Sequence, residues 1–314
     1  MSRTKLLVTG RLSLLWLTIL VTGCATVTVT PPVEHPPQAR PIQPIDIAAR
    51  PVVAFVLGGG AARGFAHVGA LKVLDENGIH ADIIVGTSAG SVVGALYAGG
   101  IRGDALMATA HQLARDKITD WMFPNRGVVR GQLLQQYIND ALANRPIEAL
   151  PTTFVAVATE LGSGRTIAFN AGDVGMAIRA SSAIPGLVQP VTIDGIDYVD
   201  GGLVSPVPVH VARQYGADII IAIDVSRQPR AHPVLDSTLS VMQQALVIMS
   251  HEISAVELKD ADILISPALE DISLAEFDMR EYAIARGEEA ANGVMSSIKS
   301  LLRQMAVDKA HSRR

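Results

Sequence analysis

Ile83-Ile84-Val85-Gly86-Thr87-Ser88-Ala89-Gly90 is the stretch on which the fold turns. Three aliphatic residues without a polar partner read as a strand buried on both faces. A glycine-flanked turn follows, and then a run of small residues reads as a helix from Ser88 to Tyr97. Working outward, Val52–Leu57 is a second apolar run, bounded by Pro51 and Gly58. It leads through Gly58-Gly59-Gly60-Ala61-Ala62-Arg63-Gly64 into a helical stretch from Phe65 to Asn77. There Val68, Leu71 and Leu74 share a face, and Gly78 supplies a stop. Further strands are expected at 153–159, 193–199, 219–225 and 263–266, and further helices at 103–115, 130–143, 173–182, 206–215, 237–257 and 280–303. Alternation of this kind predicts a three-layer α/β/α domain around a largely parallel central sheet. With no internal repeat and no second composition break, residues 52–314 read as one domain. Its motifs lie within 53–225, and a C-terminal helical part covers 230–305.

Composition narrows the classes. The chain has 314 residues, is 49% hydrophobic and 18% charged, and carries a formal charge of −4. That hydrophobicity excludes disorder of the whole chain. The acidic balance gives no electrostatic case for nucleic acid. A single cysteine excludes an internal disulfide framework and any multi-cysteine zinc site.

The first 23 residues read as an address rather than as fold. Arg3, Lys5 and Arg11 precede the apolar run Leu12–Val21, which is short against the ~20 residues that span a bilayer. Val21-Thr22-Gly23-Cys24 then resembles a bacterial lipobox, with the chain's one cysteine at the lipidation position. On that reading 1–23 is a lipoprotein signal peptide. Cys24 carries acyl chains, and the chain is anchored to the bacterial cell envelope. The absence of Asp after Cys24 points to the outer membrane. The alternative is an ordinary signal or anchor with an incidental thiol. Residues 24–51 include Pro31, Pro32, Pro36, Pro37, Pro41, Pro44 and Pro51. Proline fixes φ and removes donors, so this stretch is expected to be an extended tether or a segment laid on the domain surface.

Three short motifs carry chemistry. Gly86-Thr87-Ser88-Ala89-Gly90, between a strand and a helix, would expose the Ser88 hydroxyl on a sharp turn at the carboxyl edge of the sheet. Taken alone, Ser88 reads equally as a nucleophile or as a helix cap. The Gly58–Gly64 loop presents bare N–H groups, which suit a phosphate or an oxyanion. A dinucleotide fingerprint would need glycine where Arg63 or Ala61 stands, and there is no Walker-type lysine. Tyr198-Val199-Asp200-Gly201-Gly202 ends an apolar stretch, and by itself it is an ordinary turn sequence.

Taken together, the glycine loop ending in Arg63-Gly64, the Ser88 elbow and the Asp200-Gly201-Gly202 turn resemble the patatin-like phospholipase family. The resemblance runs from about Val53 to Val225. It takes in Ala180-Ser181-Ser182-Ala183-Ile184-Pro185-Gly186 and Gly216-Ala217-Asp218. It implies a lipid acyl hydrolase of the phospholipase A or carboxylester type with a Ser–Asp dyad, acting in lipid catabolism or membrane-lipid remodelling. Ser88 would be the nucleophile and Asp200 its general base. The N–H groups of Gly59, Gly60 and Ala61 would form the oxyanion hole, and Gly58, Gly64, Gly86, Gly90, Gly201 and Gly202 would shape the motifs. Arg63 would brace the loop or meet a lipid phosphate. No cofactor and no metal are implied, and the partners are an acyl-ester substrate and the membrane. Ala61 stands where many members have glycine, which harms the hole only if a positive φ is required there.

Rivals remain at this level. His210, His232 and His251 follow Asp200 in the order of a Ser–Asp–His triad. His67 reads as a packed or surface histidine. A catalytically silent, membrane-anchored lipid-binding or scaffold lipoprotein would retain the same motifs as structure. The stretch 237–257, with Met242, Leu246, Ile248 and Met249, reads as a core-facing helix in preference to a lipid-facing lid.

Overall fold

Strand β1 (Val53–Leu57) lies at the centre of an eight-stranded mixed sheet in a computed structural model of the chain. The structure describes residues 35–47, 49–113, 117–122, 126–229, 235–273 and 276–312. These belong to the compact unit Val33–Arg314. The other strands are β2 (Ile83–Thr87), β3 (Thr153–Glu160), β4 (Thr166–Phe169), β5 (Val191–Ile193), β6 (Ile196–Asp200), β7 (Ile219–Ile223) and β8 (Ile263–Ile265). Their order is β5-β6-β3-β2-β1-β7-β8, with β4 also paired to β3. The β3-β2-β1-β7-β8 core is parallel, and the β4, β5 and β6 pairings are antiparallel.

The parallel core is apolar on both faces because both are covered. Phe55, Leu57, Ile84, Phe154, Ile221 and Ile223 point into the larger layer. That layer holds α1 (Phe65–Glu76), α2 (Ala89–Ala98), α3 (Gly103–Gln112), α4 (Gln132–Ala141), α5 (Val174–Ser181) and α8 (Arg280–Ser312). Ala54, Val56, Ile83, Val85, Val155 and Ile220 point the other way, onto α6 (Val209–Gln214), where Val211, Ala212 and the following Tyr215 cover them. The twenty-residue α7 (Thr238–Glu257) ends beside this second layer.

Two expectations need correction, and one choice left open in the sequence is resolved. The strand expected at 193–199 runs across the turn of a hairpin, β5 and β6, at Asp194-Gly195. Both turn residues have positive φ, 51° and 79°, the left-handed pair that matches strand twist in a two-residue hairpin. The 237–257 helix is not core-facing along its stripe. Val241, Met242, Ile248 and Met249 are each about half exposed, and among its described side chains only those of Val247, Ser254 and Glu257 are buried. Finally, residues 35–47 of the proline-rich stretch do not stand free. Gln38 exchanges backbone hydrogen bonds with Ala171, Ile45 N–H donates to Tyr215 O, and Ile42, Ile45 and Ile47 pack on the second layer. Residues 1–34 lie outside the described residues, and with them Cys24 and the segment read as a signal. No described helix is long and apolar enough to cross a membrane.

Candidate active site

Parallel strands β1 and β2 end side by side, and both of their following turns carry glycine. β2 runs through Gly86 and Thr87 into Ser88, whose backbone stands at φ 53°, ψ −123° before α2 begins. A non-glycine residue there is strained, which is the signature of a serine elbow. The motif's glycines are required by proximity. A Cβ on Gly90 would lie 2.0 Å from Leu57 O, and one on Gly86 would lie 2.5 Å from Gly90 O. The elbow is held from below: Ser88 N–H donates to Ser181 Oγ at 2.9 Å, and that hydroxyl donates to Val157 O at 2.6 Å.

β6 delivers the acid. Ser88 Oγ donates to Asp200 Oδ2 at 2.7 Å, across 112 residues of chain. Asp200 Oδ1 accepts the Gly202 N–H at 2.7 Å, which fixes the carboxylate plane. Its own N–H donates to Ala183 O at 3.0 Å, and its carbonyl accepts the Thr159 hydroxyl at 2.9 Å. The expected segment 180–186 thus ties both members of the pair, through Ser181 and through Ala183. Asp200 is 7% exposed and Ser88 6%. Burial pushes the Asp200 carboxyl up to about 6, against the Gly202 N–H and Ser88 hydroxyl, which pull it down.

The glycine loop lies over the elbow. A Cβ on Gly59 would sit 3.3 Å from Ser88 Cβ, and one on Gly64 would sit 2.6 Å from Ala89 Cβ. Of the three expected oxyanion donors, Gly59 is withdrawn, because its N–H donates to Pro206 O at 3.0 Å. Among the described residues no acceptor meets the N–H of Gly60 or Ala61, so these two remain available. Ala61 opens a single 3-10 turn, Ala61–Gly64, at φ 49°, the left-handed conformation that its Cβ disfavours. Gly58 is fixed at both ends: its N–H donates to Ile223 O at 3.0 Å, and its carbonyl accepts from His67 Nε2–H at 2.8 Å. His67 is fully buried and desolvation lowers its pKa to about 4, so it braces the loop as the neutral ring. Arg63 is buried too and lines a cleft of about 180 Å³ with Asp224, Ser226, His251 and Glu270.

The histidines do not complete a triad among the described residues. His67 is committed to Gly58, His210 is exposed beside Asp260, and His251 lines the Arg63 cleft. His232 lies outside the described residues. Nor does any group of three or more His, Cys, Asp or Glu among them form a metal cage. Ser205 and Glu257, which sequence reading did not single out, join the site from behind. Thr87 Oγ1–H donates to Ser205 O at 2.8 Å, and Ser205 Oγ–H donates to buried Glu257.

Comparison with known proteins gives the family and the fold. A family model described as patatin-like phospholipase matches residues 55–213, which hold all three motifs. An uncharacterized NTE family protein of Mycobacterium tuberculosis is 35% identical over 212 residues, 67% of this chain and 58% of that one. The patatin-like phospholipase domain-containing protein 6 of Mus musculus is 33% identical over 184 residues, 56% of this chain and 14% of that one. Thus the chain spans a little over half of its mycobacterial relative. The crystal structure of VipD from Legionella pneumophila shares the fold with a TM-score of 0.52 at 13% identity, covering 79% of this chain and 67% of that one.

Proposed function

The chain belongs to the patatin-like phospholipase family, and we propose that it is a lipid acyl hydrolase of the phospholipase A or carboxylester type working through a Ser88–Asp200 dyad. The observation that carries this reading is the 2.7 Å hydrogen bond from Ser88 Oγ to Asp200 Oδ2 on a strained elbow. Ser88 Oγ attacks the ester carbonyl carbon while its proton passes to Asp200 Oδ2. The carbonyl oxygen becomes an oxyanion facing the N–H groups of Gly60 and Ala61. One such donor is typically worth about 3 kcal/mol of barrier. As the C–O bond breaks, Asp200 returns the proton to the departing alcohol and an acyl-enzyme remains. Water then attacks the acyl carbon with Asp200 again as base, the bond to Ser88 Oγ breaks as Asp200 returns the proton to that oxygen, and the fatty acid leaves.

A carboxylate whose pKa lies near 6 is a stronger base than an ordinary aspartate and is still ionised at neutral pH. Alanine at position 61 costs about 1–2 kcal/mol in the left-handed region, yet it keeps its N–H and holds that φ. The positive φ that glycine would adopt freely is thus reached here at a cost in strain, with the N–H donor retained. A silent scaffold lipoprotein remains the competing reading, and one measurement separates the two. A fluorophosphonate probe labels Ser88 in the wild-type protein, and defined phospholipids or short-chain esters are hydrolysed. Ser88→Ala loses both while unfolding at the same temperature. A folded wild-type protein that neither labels nor hydrolyses any ester is the scaffold.

The membrane forms part of the same proposal. Cys24, lipidated at the outer membrane of a bacterial envelope, would hold the domain on the surface that supplies its substrate. Two or more acyl chains give durable anchoring, at roughly 0.8 kcal/mol per buried methylene. Metabolic labelling with a palmitate analogue, lost in Cys24→Ala, tests it.

A further inference from the structure

Ser205-Pro206-Val207 touches all three motifs. Ser205 N–H donates to Gly201 O at 2.9 Å, beside the catalytic acid. Ser205 O accepts the hydroxyl of Thr87, the residue before the nucleophile, at 2.8 Å. Pro206 O accepts the Gly59 N–H at 3.0 Å, and a Cβ on Gly58 would meet Val207 Cγ2 at 3.0 Å. The tripeptide is therefore the common backing of the acid turn, the elbow and the oxyanion loop. Pro206 has no N–H, and proline also follows at 208, so few donors of its own tie the segment down.

One carboxylate fixes it. Glu257, the last residue of α7, is 5% exposed. It accepts the Ser205 hydroxyl on Oε1 and the Val207 N–H on Oε2 at 3.1 Å. The two oxygens thus flank the peptide whose carbonyl holds Gly59. We infer that Glu257 is a positioning residue for the Ser88 chemistry, clamping Ser205–Val207 so that the glycine loop and the elbow keep their separation. The inference rests on the dyad reading for its consequence in catalysis, and on geometry alone for the clamp. Burial pushes the Glu257 carboxyl up to about 7 against both of its donors, so an acid in this place is costly to ionise. A buried network of this kind is sound only when every member is satisfied.

The clamp needs an acceptor for Val207 N–H and a polar partner for Ser205 Oγ, and charge is secondary. Glutamine meets both needs: its oxygen takes the rigid N–H, and its amide donates to the hydroxyl, which can rotate. Leucine meets neither. The test therefore compares Glu257→Gln, Glu257→Leu and Ser205→Ala in the full chain. Glu257→Leu is expected to lower kcat on a soluble short-chain ester at least tenfold with KM within twofold. It is also expected to lose hydrogen-exchange protection in peptides covering 57–61 while those of α1 and α8 are unchanged. Glu257→Gln restores both. Ser205→Ala, which removes one arm at little cost in volume, lowers kcat about threefold and speeds exchange of the same peptide. The last variant decides the matter if Glu257→Leu does not fold. Wild-type kcat and exchange in a folded Glu257→Leu or in Ser205→Ala overturns the inference, as does Glu257→Gln failing like leucine. A wild-type protein without esterase activity counts against the dyad reading instead, and the exchange data then judge the clamp by themselves.

Discussion

Asp200 concentrates the residue-scale argument. It is an acid placed where water is scarce, and its two hydrogen bonds do not offset the desolvation that raises its pKa to about 6. A general base acts only when ionised. The rate of fluorophosphonate labelling at Ser88 should therefore be flat above about pH 7 and fall about tenfold per pH unit below about 5. The midpoint should lie near 6, and stopped-time labelling across pH 4–9 measures it. A midpoint at an ordinary aspartate value near 4 would show that the ionised carboxylate is better solvated than its burial implies. The pairing of Ser88 with Asp200 was legible only from the three motifs taken together, since each alone reads equally as a cap or an ordinary turn. The donor assignment was not. Gly59, Gly60 and Ala61 look equivalent on paper, and the Pro206 carbonyl that consumes the Gly59 N–H is some 150 residues away along the chain. Glu257 was hidden for a similar reason, since a glutamate ending a helix is ordinary until its neighbours are known.

At the scale of elements, alternation of apolar runs and glycine turns exposed the parallel core, because strands buried on both faces leave a continuous pattern. The antiparallel margin is half-exposed and left less. β4 is short and only partly buried, and β5 lies almost wholly before the strand expected at 193–199, which ran on through the Asp194-Gly195 turn. The stripe of α7 misled because periodicity reports a shared face and does not say what covers it. The pairing of α1 with α8 rests on a feature equally silent in sequence. A Cβ on Gly69 would lie 2.0 Å from Ile284 O, and one on Gly287 would lie 2.0 Å from Ala66 O. The two helices cross backbone against backbone, each supplying its glycine, and Ala66, Ala283 and Ile284 are buried there. Alanine at either position must push the helices apart, and overpacking of this kind costs about 1–3 kcal/mol or more. Gly69→Ala and Gly287→Ala should each lower the denaturation midpoint accordingly, and Gly293→Ala, with nothing within 4 Å of its Cβ, should not. Equal stability of all three in urea titrations would mean that the two helices can separate at little cost.

Over the whole molecule, three buried titratable groups oppose one another. Asp200 and Glu257 have folded pKa values raised to about 6 and about 7 from 3.8 and 4.5. Their contribution to stability is full below the unfolded values and is lost as pH rises through the folded ones. His67 runs the other way. Its pKa falls to about 4 from 6.5, so its contribution is full above 6.5 and is lost as pH falls through 4. Each shift of about two units corresponds to about 3 kcal/mol at full strength. Between pH 4.5 and 6.5 the single histidine offsets only one of the two acids, so the wild-type protein should lose about 2 kcal/mol as pH rises across that window. Neutral replacements separate the terms. Asp200→Asn with Glu257→Gln should be more stable than wild type at pH 8 by several kcal/mol, and the advantage should shrink steadily to near zero at pH 4. The double variant should also lose stability from pH 6.5 downward, since His67 then titrates without its counterweights. Chemical denaturation at pH 4, 5, 6, 7 and 8 decides it. A difference between variant and wild type that is the same at every pH would show that these carboxyls titrate alike in the folded and unfolded chain. The site would then be held together by something other than the desolvated acids described above.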